Sequence, residues 1–379
     1  MNARLIKFPL TLICSLIAVG FLCSSDIIAA GQDGRWSEDQ ASAWYKQQPW
    51  LVGANFLPSN AVNELEMWQA DTFDPAEIDR EFGWAENIGM NTMRVFLHNL
   101  VWEQDQAGFQ KRIDLFLAIA DRHHIRPVFV LFDSCWDPDP KLGPQRPPIP
   151  GVHNSGWVQA PGRAVLTDTA QYSKLEAYVK GAVGAFANDK RVLAWDVWNE
   201  PDNGNDSSYG KLEPKNKREL VLALLPQVFA WARAAHPTQP LTSGVWAGDW
   251  SSLDKMLPMA RLQIEQSDVI TFHNYDWPEG FEARIASLKQ FRRPLICTEY
   301  MARGAGSTFD TILPIAKREH VAAINWGLVK GRSQTYLPWD SWQRPYVTVS
   351  PTVWFHDVFY EDGTPYRVRE AEIFKGLAR

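Results

Sequence analysis

Four cysteines in 379 residues are too few for a disulfide scaffold, and two of them, Cys14 and Cys23, fall within the N-terminal leader described below. Cys135 and Cys297 remain, too far apart on the strand order given below to form a bridge. Positive charge is also short. Lysine and arginine number 38 against 44 aspartates and glutamates, a formal net charge of −6. Nucleic acid and anionic membranes select basic faces, so neither is expected as a partner, and a neutral one fits better. No Gly-rich phosphate fingerprint follows the first strand-like run, which counts against a doubly wound nucleotide-binding fold. Internal repeats, low-complexity tracts and linkers are absent, so nothing marks a second domain. Metal-ligand patterns are missing as well. Asp202-Asn203-Gly204-Asn205-Asp206 puts glycine where a calcium loop needs its second oxygen and reads as a polar loop. His123-His124 has no carboxylate or cysteine partner at ligand spacing. No metal and no cofactor is expected.

The longest apolar run is N-terminal. Arg4 and Lys7 precede Phe8 to Cys23 and the small pair Ala29-Ala30, the arrangement of a secretory signal peptide, and about sixteen apolar residues is short for a membrane span. The expected organisation is a leader over 1–30 and one domain over 31–379, exported to the periplasm or outside the cell, with no membrane association after cleavage.

What is present is a regular alternation. Eight apolar runs, Trp50 to Pro58, Asn91 to His98, Arg126 to Asp133, Leu193 to Glu200, Pro240 to Trp246, Asp268 to Tyr275, Pro294 to Tyr300 and Ala322 to Val329, read as strands. Helical periodicity fills the gaps between them. Asp74-Pro75-Ala76-Glu77 offers a cap, a proline at the first helical position and an acid after it, with Ile78, Phe82 and Ala85 in register and Gly89 as the stop. Ile113, Phe116, Leu117 and Ala120 form a second stripe, and Tyr172, Leu175, Val179, Ala182 and Phe186 a third. Leu220, Leu224, Val228 and Trp231 form a fourth, with Pro226 an expected kink. Strands alternating with helices imply right-handed crossovers and a parallel sheet, and eight of them predict an α/β fold, the (β/α)₈ TIM barrel. The segment from Gly31 to Gln48 is expected to cover the barrel bottom. Long connections leave the third and eighth runs, Ser134 to Thr167 and Gly331 to about Tyr366, on the face where barrel sites sit.

Two of the runs carry a glutamate at or next to their end, in Trp198-Asn199-Glu200-Pro201 and Cys297-Thr298-Glu299-Tyr300. Breaking a glycosidic bond needs two carboxyl groups, one to protonate the leaving oxygen and one to attack or stabilise the oxocarbenium-like carbon. Cys297 stands two residues before Glu299, so strict alternation puts both on one face, with Cys297 a small core side chain. His273 and Tyr275 share parity on the sixth run. Tryptophan is abundant, with 18 copies. Trp84 and Trp231 lie on helix faces and read as core, while Trp136, Trp157, Trp246, Trp250, Trp277 and Trp339 sit at or after strand ends and are candidates for sugar-stacking positions.

On these residues the chain resembles the clan A glycoside hydrolases and is most similar to family 5, the cellulase-like barrel enzymes. The resemblance covers nearly all of residues 31–379 and rests on Asn199-Glu200-Pro201, Glu299, Arg94, His273, Tyr275 and Trp326 in the family's strand order. It implies that Glu200 is the acid/base and Glu299 the nucleophile of a retaining β-glycoside hydrolase, with Arg94 holding Glu299 ionised. It further implies that Asn199 meets the sugar 2-hydroxyl and that Trp326 stacks on the reacting sugar. The implied substrate is a β-1,4-linked glucan, mannan or related hemicellulose. The family commonly carries a histidine near the end of the third strand, where this chain has Leu131-Phe132-Asp133-Ser134-Cys135-Trp136; His98 is a candidate for that space. Endo action, exo action on oligosaccharide ends and a non-catalytic carbohydrate-binding barrel are the readings left open.

Overall fold

A computed structural model describes residues 34–378; the leader read over residues 1–30 lies outside them. Eight strands, β1 (Val52–Asn55), β2 (Thr92–Phe96), β3 (Arg126–Val130), β4 (Ala194–Asp196), β5 (Leu241–Thr242), β6 (Ile270–His273), β7 (Leu295–Glu299) and β8 (Ala322–Asn325), pair in parallel in the order β5-β4-β3-β2-β1-β8-β7-β6. The remaining seam closes through Val245, whose N–H donates to Thr271 O at 3.0 Å and whose carbonyl accepts from His273 N at 2.9 Å. The expected (β/α)₈ barrel is therefore the observed fold. Each apolar run holds one strand, although the ladders are shorter than the runs: Pro240 to Trp246 contributes only Leu241–Thr242 to regular pairing.

The helices form for the reasons their sequences give. Asp74 caps Pro75–Asn87 by accepting from the N–H groups of Ala76 and Glu77, and Pro75 occupies the first turn, where no N–H partner is lost. Ile78, Phe82 and Ala85 of that helix are buried, as are Ile113, Phe116, Leu117 and Ala120 of Asn99–Arg122. Full burial of the isoleucine, leucine and phenylalanine side chains among them contributes about 1.5–3 kcal/mol each. Lys217–Ala234 runs on through Pro226 as one helix; non-helical backbone occurs instead at Asp105, inside Asn99–Arg122. His123 has carboxylate partners after all, Asp79 and Glu86, both at 2.9 Å on the neighbouring helix. At the barrel bottom the lead-in helix Glu38–Lys46, capped by Ser37, buries Ala41 against Val128, Ala194, Ile296 and Ile324 inside the barrel. Among the described residues no helix is long and apolar enough to cross a membrane.

One departure from strict alternation shapes the barrel mouth. Between β6 and β7, Phe272 pairs with Cys297 but His273 pairs with Glu299, so Thr298 is an extra residue and a bulge. Cys297 therefore packs on the helix side of the sheet with Phe272, whereas Glu299 turns into the mouth. The expectation that they share a face fails because the bulge resets the two-residue period. Cys135 and Cys297, the two cysteines among the described residues, are free and buried.

Candidate active site

The site is assembled on Arg94, which points inward from β2 and is fully buried. Its guanidinium has five N–H donors, and five hydrogen bonds use them all. Nε and Nη2 donate to Asp196 Oδ2 at 3.1 and 2.8 Å, Nη1 to Asn55 Oδ1 at 2.9 Å and to Glu299 Oε1 at 3.2 Å, and Nη2 to Asn199 Oδ1 at 2.6 Å. One side chain thus ties the ends of β1, β2, β4 and β7 together. Glu299 ends β7 with its second oxygen, Oε2, accepting from the Tyr275 hydroxyl at 2.9 Å.

Glu200 lies beyond the last paired residue of β4, with φ +40°. That left-handed backbone is uncommon for a glutamate, and such conformations gather at functional sites. Its Oε1 meets His273 Nδ1 at 2.8 Å, and Oε2 accepts from Asn203 Nδ2 at 2.7 Å and from the Cys135 thiol at 3.3 Å. His273 Nδ1 also lies 3.5 Å from Glu299 Oε2. An oxygen of Glu200, an oxygen of Glu299 and a His273 nitrogen all fall within 4.8 Å of one another. A metal ion could use such a trio, but the 2.8 Å contact is a direct hydrogen bond, so the arrangement reads as carboxyls sharing a proton network.

Burial sets the electrostatics. It pushes the Glu200 carboxyl above its usual value, against the pull of the Asn203 and Cys135 donors. Burial also raises Glu299, with Glu200 adding to the rise and His273, Arg94 and Tyr275 opposing it. It holds His273 down to about 4, so the imidazole is neutral near pH 7. Two close carboxyls that both resist ionisation divide the charge unequally. Glu299 touches the guanidinium and Glu200 does not, which favours the charge on Glu299 and the proton on Glu200.

Above this layer opens a cleft of about 460 Å³ lined by Glu200, Glu299, Asn199, Tyr275 and the faces of Trp136, Trp246, Trp326, Trp339 and Trp342. Trp136 stacks on Trp342 with centroids 5.4 Å apart, and Trp339 stands edge-on to Tyr275 at 5.0 Å. All nine residues singled out by sequence for catalysis or substrate contact are gathered here, Arg94 and His273 beneath the floor and the other seven in the wall.

Several secondary candidates lie elsewhere. Trp250 is buried against Phe272 and under the Arg284 guanidinium, and Trp277 is exposed at the start of Pro278–Lys289, outside the cleft lining. Trp157 is buried behind Trp326, its indole N–H donating to Asp133 Oδ2 at 2.7 Å. His98 does not fill the space of the missing histidine. It caps Asn99–Arg122, accepting from Leu100 N through Nδ1, and its Nε2 meets Gln159 O at 3.1 Å. The end of β3 presents Asp133 instead, which accepts from Asn199 Nδ2 at 2.9 Å and so fixes that amide. Sequence reading missed Asn203 and Cys135 as partners of Glu200. The loop read merely as polar carries Asn203 one helical turn after Glu200, and that spacing was the available signal.

Asn203 gives a direct test. A donor to a carboxylate favours its charged form, so Asn203→Ala should raise the Glu200 pKa and move the alkaline limb of the kcat/KM profile to higher pH. An unmoved limb would show that Asn203 does not act on the group titrating there.

Residues 149–344 match the family model described as Cellulase (glycosyl hydrolase family 5). No curated protein sequence is significantly similar to the chain. Among solved structures, the fold is similar to a GH5_18 protein from Streptomyces cattleya in complex with Manβ1-4GlcNAc, with TM-score 0.58, 12% identity and coverage of 88% of this chain and 81% of that one. It is also similar to the β-1,4-mannanase of the sea hare Aplysia kurodai, with TM-score 0.52, 18% identity and coverage of 74% and 88%. A third similar structure is an exo-β-1,4-mannosidase from Opitutaceae bacterium strain TAV5, with TM-score 0.57, 16% identity and coverage of 93% and 62%.

Proposed function

The chain belongs to glycosyl hydrolase family 5, and from that premise we propose that this O-glycosyl hydrolase is an exported, retaining β-glycosidase with Glu299 as nucleophile and Glu200 as acid/base. The observation that carries the proposal is the closeness of the two carboxyls. One oxygen of each within 4.8 Å of the other suits the ~5–5.5 Å carboxyl separation of double displacement better than the ~6.5–9.5 Å across which inversion places a water.

In the first step Glu299 attacks the anomeric carbon while Glu200 gives its proton to the glycosidic oxygen, breaking the C–O bond and leaving a glycosyl ester on Glu299. Glu200, now ionised, takes a proton from water, whose oxygen bonds to the anomeric carbon and releases Glu299 as carboxylate. His273 and Asn203 hold Glu200 through both steps. The hydroxyl of Tyr275 and Nη1 of Arg94 fix the Glu299 oxygens. Asn199 is held by Arg94 and Asp133, so its amide meets a sugar hydroxyl without first being ordered. The flat face of Trp326 suits the C–H edge of a pyranose.

A β-1,4-linked, mannose-containing glycan is the substrate class we favour over glucan, because the structurally similar proteins named above are a mannanase, a mannosidase and a protein bound to a mannoside. Export is proposed on the leader over residues 1–30. The test of mechanism is the anomeric configuration of the first product, followed by proton NMR before mutarotation. The β-anomer is expected first; the α-anomer would mean inversion and would remove the nucleophile role from Glu299.

A further inference from the structure

The walls of the cleft come from the segments after β3, β4, β5, β6 and β8 and from Glu299 at the end of β7, and none of its lining residues comes from β1 or β2. Sheet order explains where their side went. β2 and β1 stand between β3 and β8, and the long connections leaving β3 and β8 join each other above them. Asn154 N donates to Ser333 O at 3.0 Å, His153 N to Ser341 Oγ at 2.9 Å, Gln334 Nε2 to Val152 O at 3.0 Å and Tyr346 N to Gly151 O at 2.8 Å. The joined loops sit directly on the loop after β1. Arg332 N donates to Ser59 O at 2.9 Å, and Asn63 Nδ2 to Gly156 O at 2.9 Å. Glycine is needed at both contacts, since a Cβ at Gly331 would lie 2.4 Å from Ser59 O and one at Gly156 would lie 2.3 Å from Val62 Cγ2. Beneath the roof, Trp157 is buried edge-on to Phe96 and Trp326, with centroids 5.1 and 5.7 Å away, and the space left beside the Trp326 ring is a cavity of about 20 Å³, room for about one water and too small for a sugar.

On the opposite side the cleft reaches Asn203, Asn205 to Ser208 and Trp246, and a second hollow of about 170 Å³ shares Glu200, Trp246 and Tyr275 with it, on the flank of Glu200, the group that protonates the leaving oxygen. The leaving part of the substrate must therefore extend toward β4 and β5. The sugar attacked by Glu299 lies against Trp326 with its far end facing the filled, roofed side.

Building on the glycosidase reading above, we infer that the enzyme acts from chain ends: the loops after β3 and β8 wall off the glycone side, and hydrolysis releases one sugar at a time from the non-reducing terminus. Each event breaks the outermost glycosidic bond, the anomeric carbon taking hydroxyl from water and the leaving oxygen taking the proton. The substrates are then short β-linked oligosaccharides or exposed chain ends, since an internal unit of a polysaccharide has a neighbour where Trp157 and the roof stand.

The test uses the mature wild-type protein and linear β-1,4-linked manno- and cello-oligosaccharides carrying a fluorophore at the reducing end. Each is presented both free and blocked by a benzylidene acetal on the non-reducing sugar. The expected result is free monosaccharide with a labelled ladder shortening by one unit at a time, and a rate on blocked chains lower by roughly 100-fold or more, because the acetal meets a closed wall. Labelled chains shortened by several units from the start, disaccharide as first product, or equal rates on blocked and free chains would overturn end-on action while leaving the glycosidase reading standing. Absence of cleavage on both forms would overturn the glycosidase reading and the inference with it.

Discussion

Glu299→Ala is expected to lose activity by about five orders of magnitude, ~7 kcal/mol of transition-state stabilisation, and to recover part of it when azide is added. The loss follows from position. Glu299 ends β7 behind a bulge that turns its carboxylate into the mouth, and Arg94 and Tyr275 hold its two oxygens at 3.2 and 2.9 Å. Removing the carboxylate leaves a small cavity beside a guanidinium and a phenol, which suits a compact anion. Azide in that cavity attacks the face of the anomeric carbon that Glu299 attacked. With Glu200 still protonating the leaving oxygen, the product is an α-glycosyl azide. Recovery of a β-glycosyl azide instead would place the removed residue on the acid side and reverse the two roles. Glu299→Gln, which keeps the volume, should be equally inactive but not rescued, separating the cavity from the charge.

Much of this site was readable because its residues sit where strand periodicity and barrel topology force them. Glu200 and Glu299 stand at or next to the ends of apolar runs, Arg94 points inward from a strand buried on both faces, and His273 and Tyr275 reach the same mouth. What escaped depended on backbone events with no sequence period. The bulge at Thr298 separates the faces of Cys297 and Glu299. The left-handed turn at Glu200 re-aims the chain so that Asn203 and Cys135 converge on one carboxylate oxygen. Tryptophans divided for a related reason. Those after strand ends are equally able to line a cleft or to seal one, and the route of the loops decides which. Trp136 stacks with Trp342 in the cleft wall, whereas Trp157, from the same connection, turns under it as filling. His98 shows the limit of reading a residue by its place on a strand, since a local hydrogen bond from Leu100 N makes it a helix cap, a second contact ties it to the distant Gln159 O, and burial holds its pKa down to about 3.

Arg94→Ala should destabilise the fold by about 3–5 kcal/mol, the cost of leaving buried charge without its partner. Asp196 is fully buried, and its only charged contact among the described residues is the guanidinium, whose Nε and Nη2 both bond its Oδ2. Burial raises the Asp196 carboxyl and Arg94 opposes that rise. With the cation gone, Asp196 and Glu299 face each other's charge across a void, and the amides of Asn55 and Asn199 lose the donor that orders them. Denaturant midpoints at constant m measure the loss. Adding Asp196→Asn should return part of it, because the neutral amide removes the stranded charge; a double variant no more stable than the single one would show that the cavity, and not the charge, carries the cost. Lysine supplies charge but only three donors from a single atom in place of the five-bond fork, so Arg94→Lys is the variant in which to read catalysis with the fold kept. The weaker cation raises the pKa of Glu299, less nucleophile is ionised at a given pH, and the acid limb of kcat/KM moves upward. A variant as stable as wild type, with an unmoved acid limb, would take Arg94 out of both the folding and the charge argument and leave Glu299 to be held by Tyr275 alone.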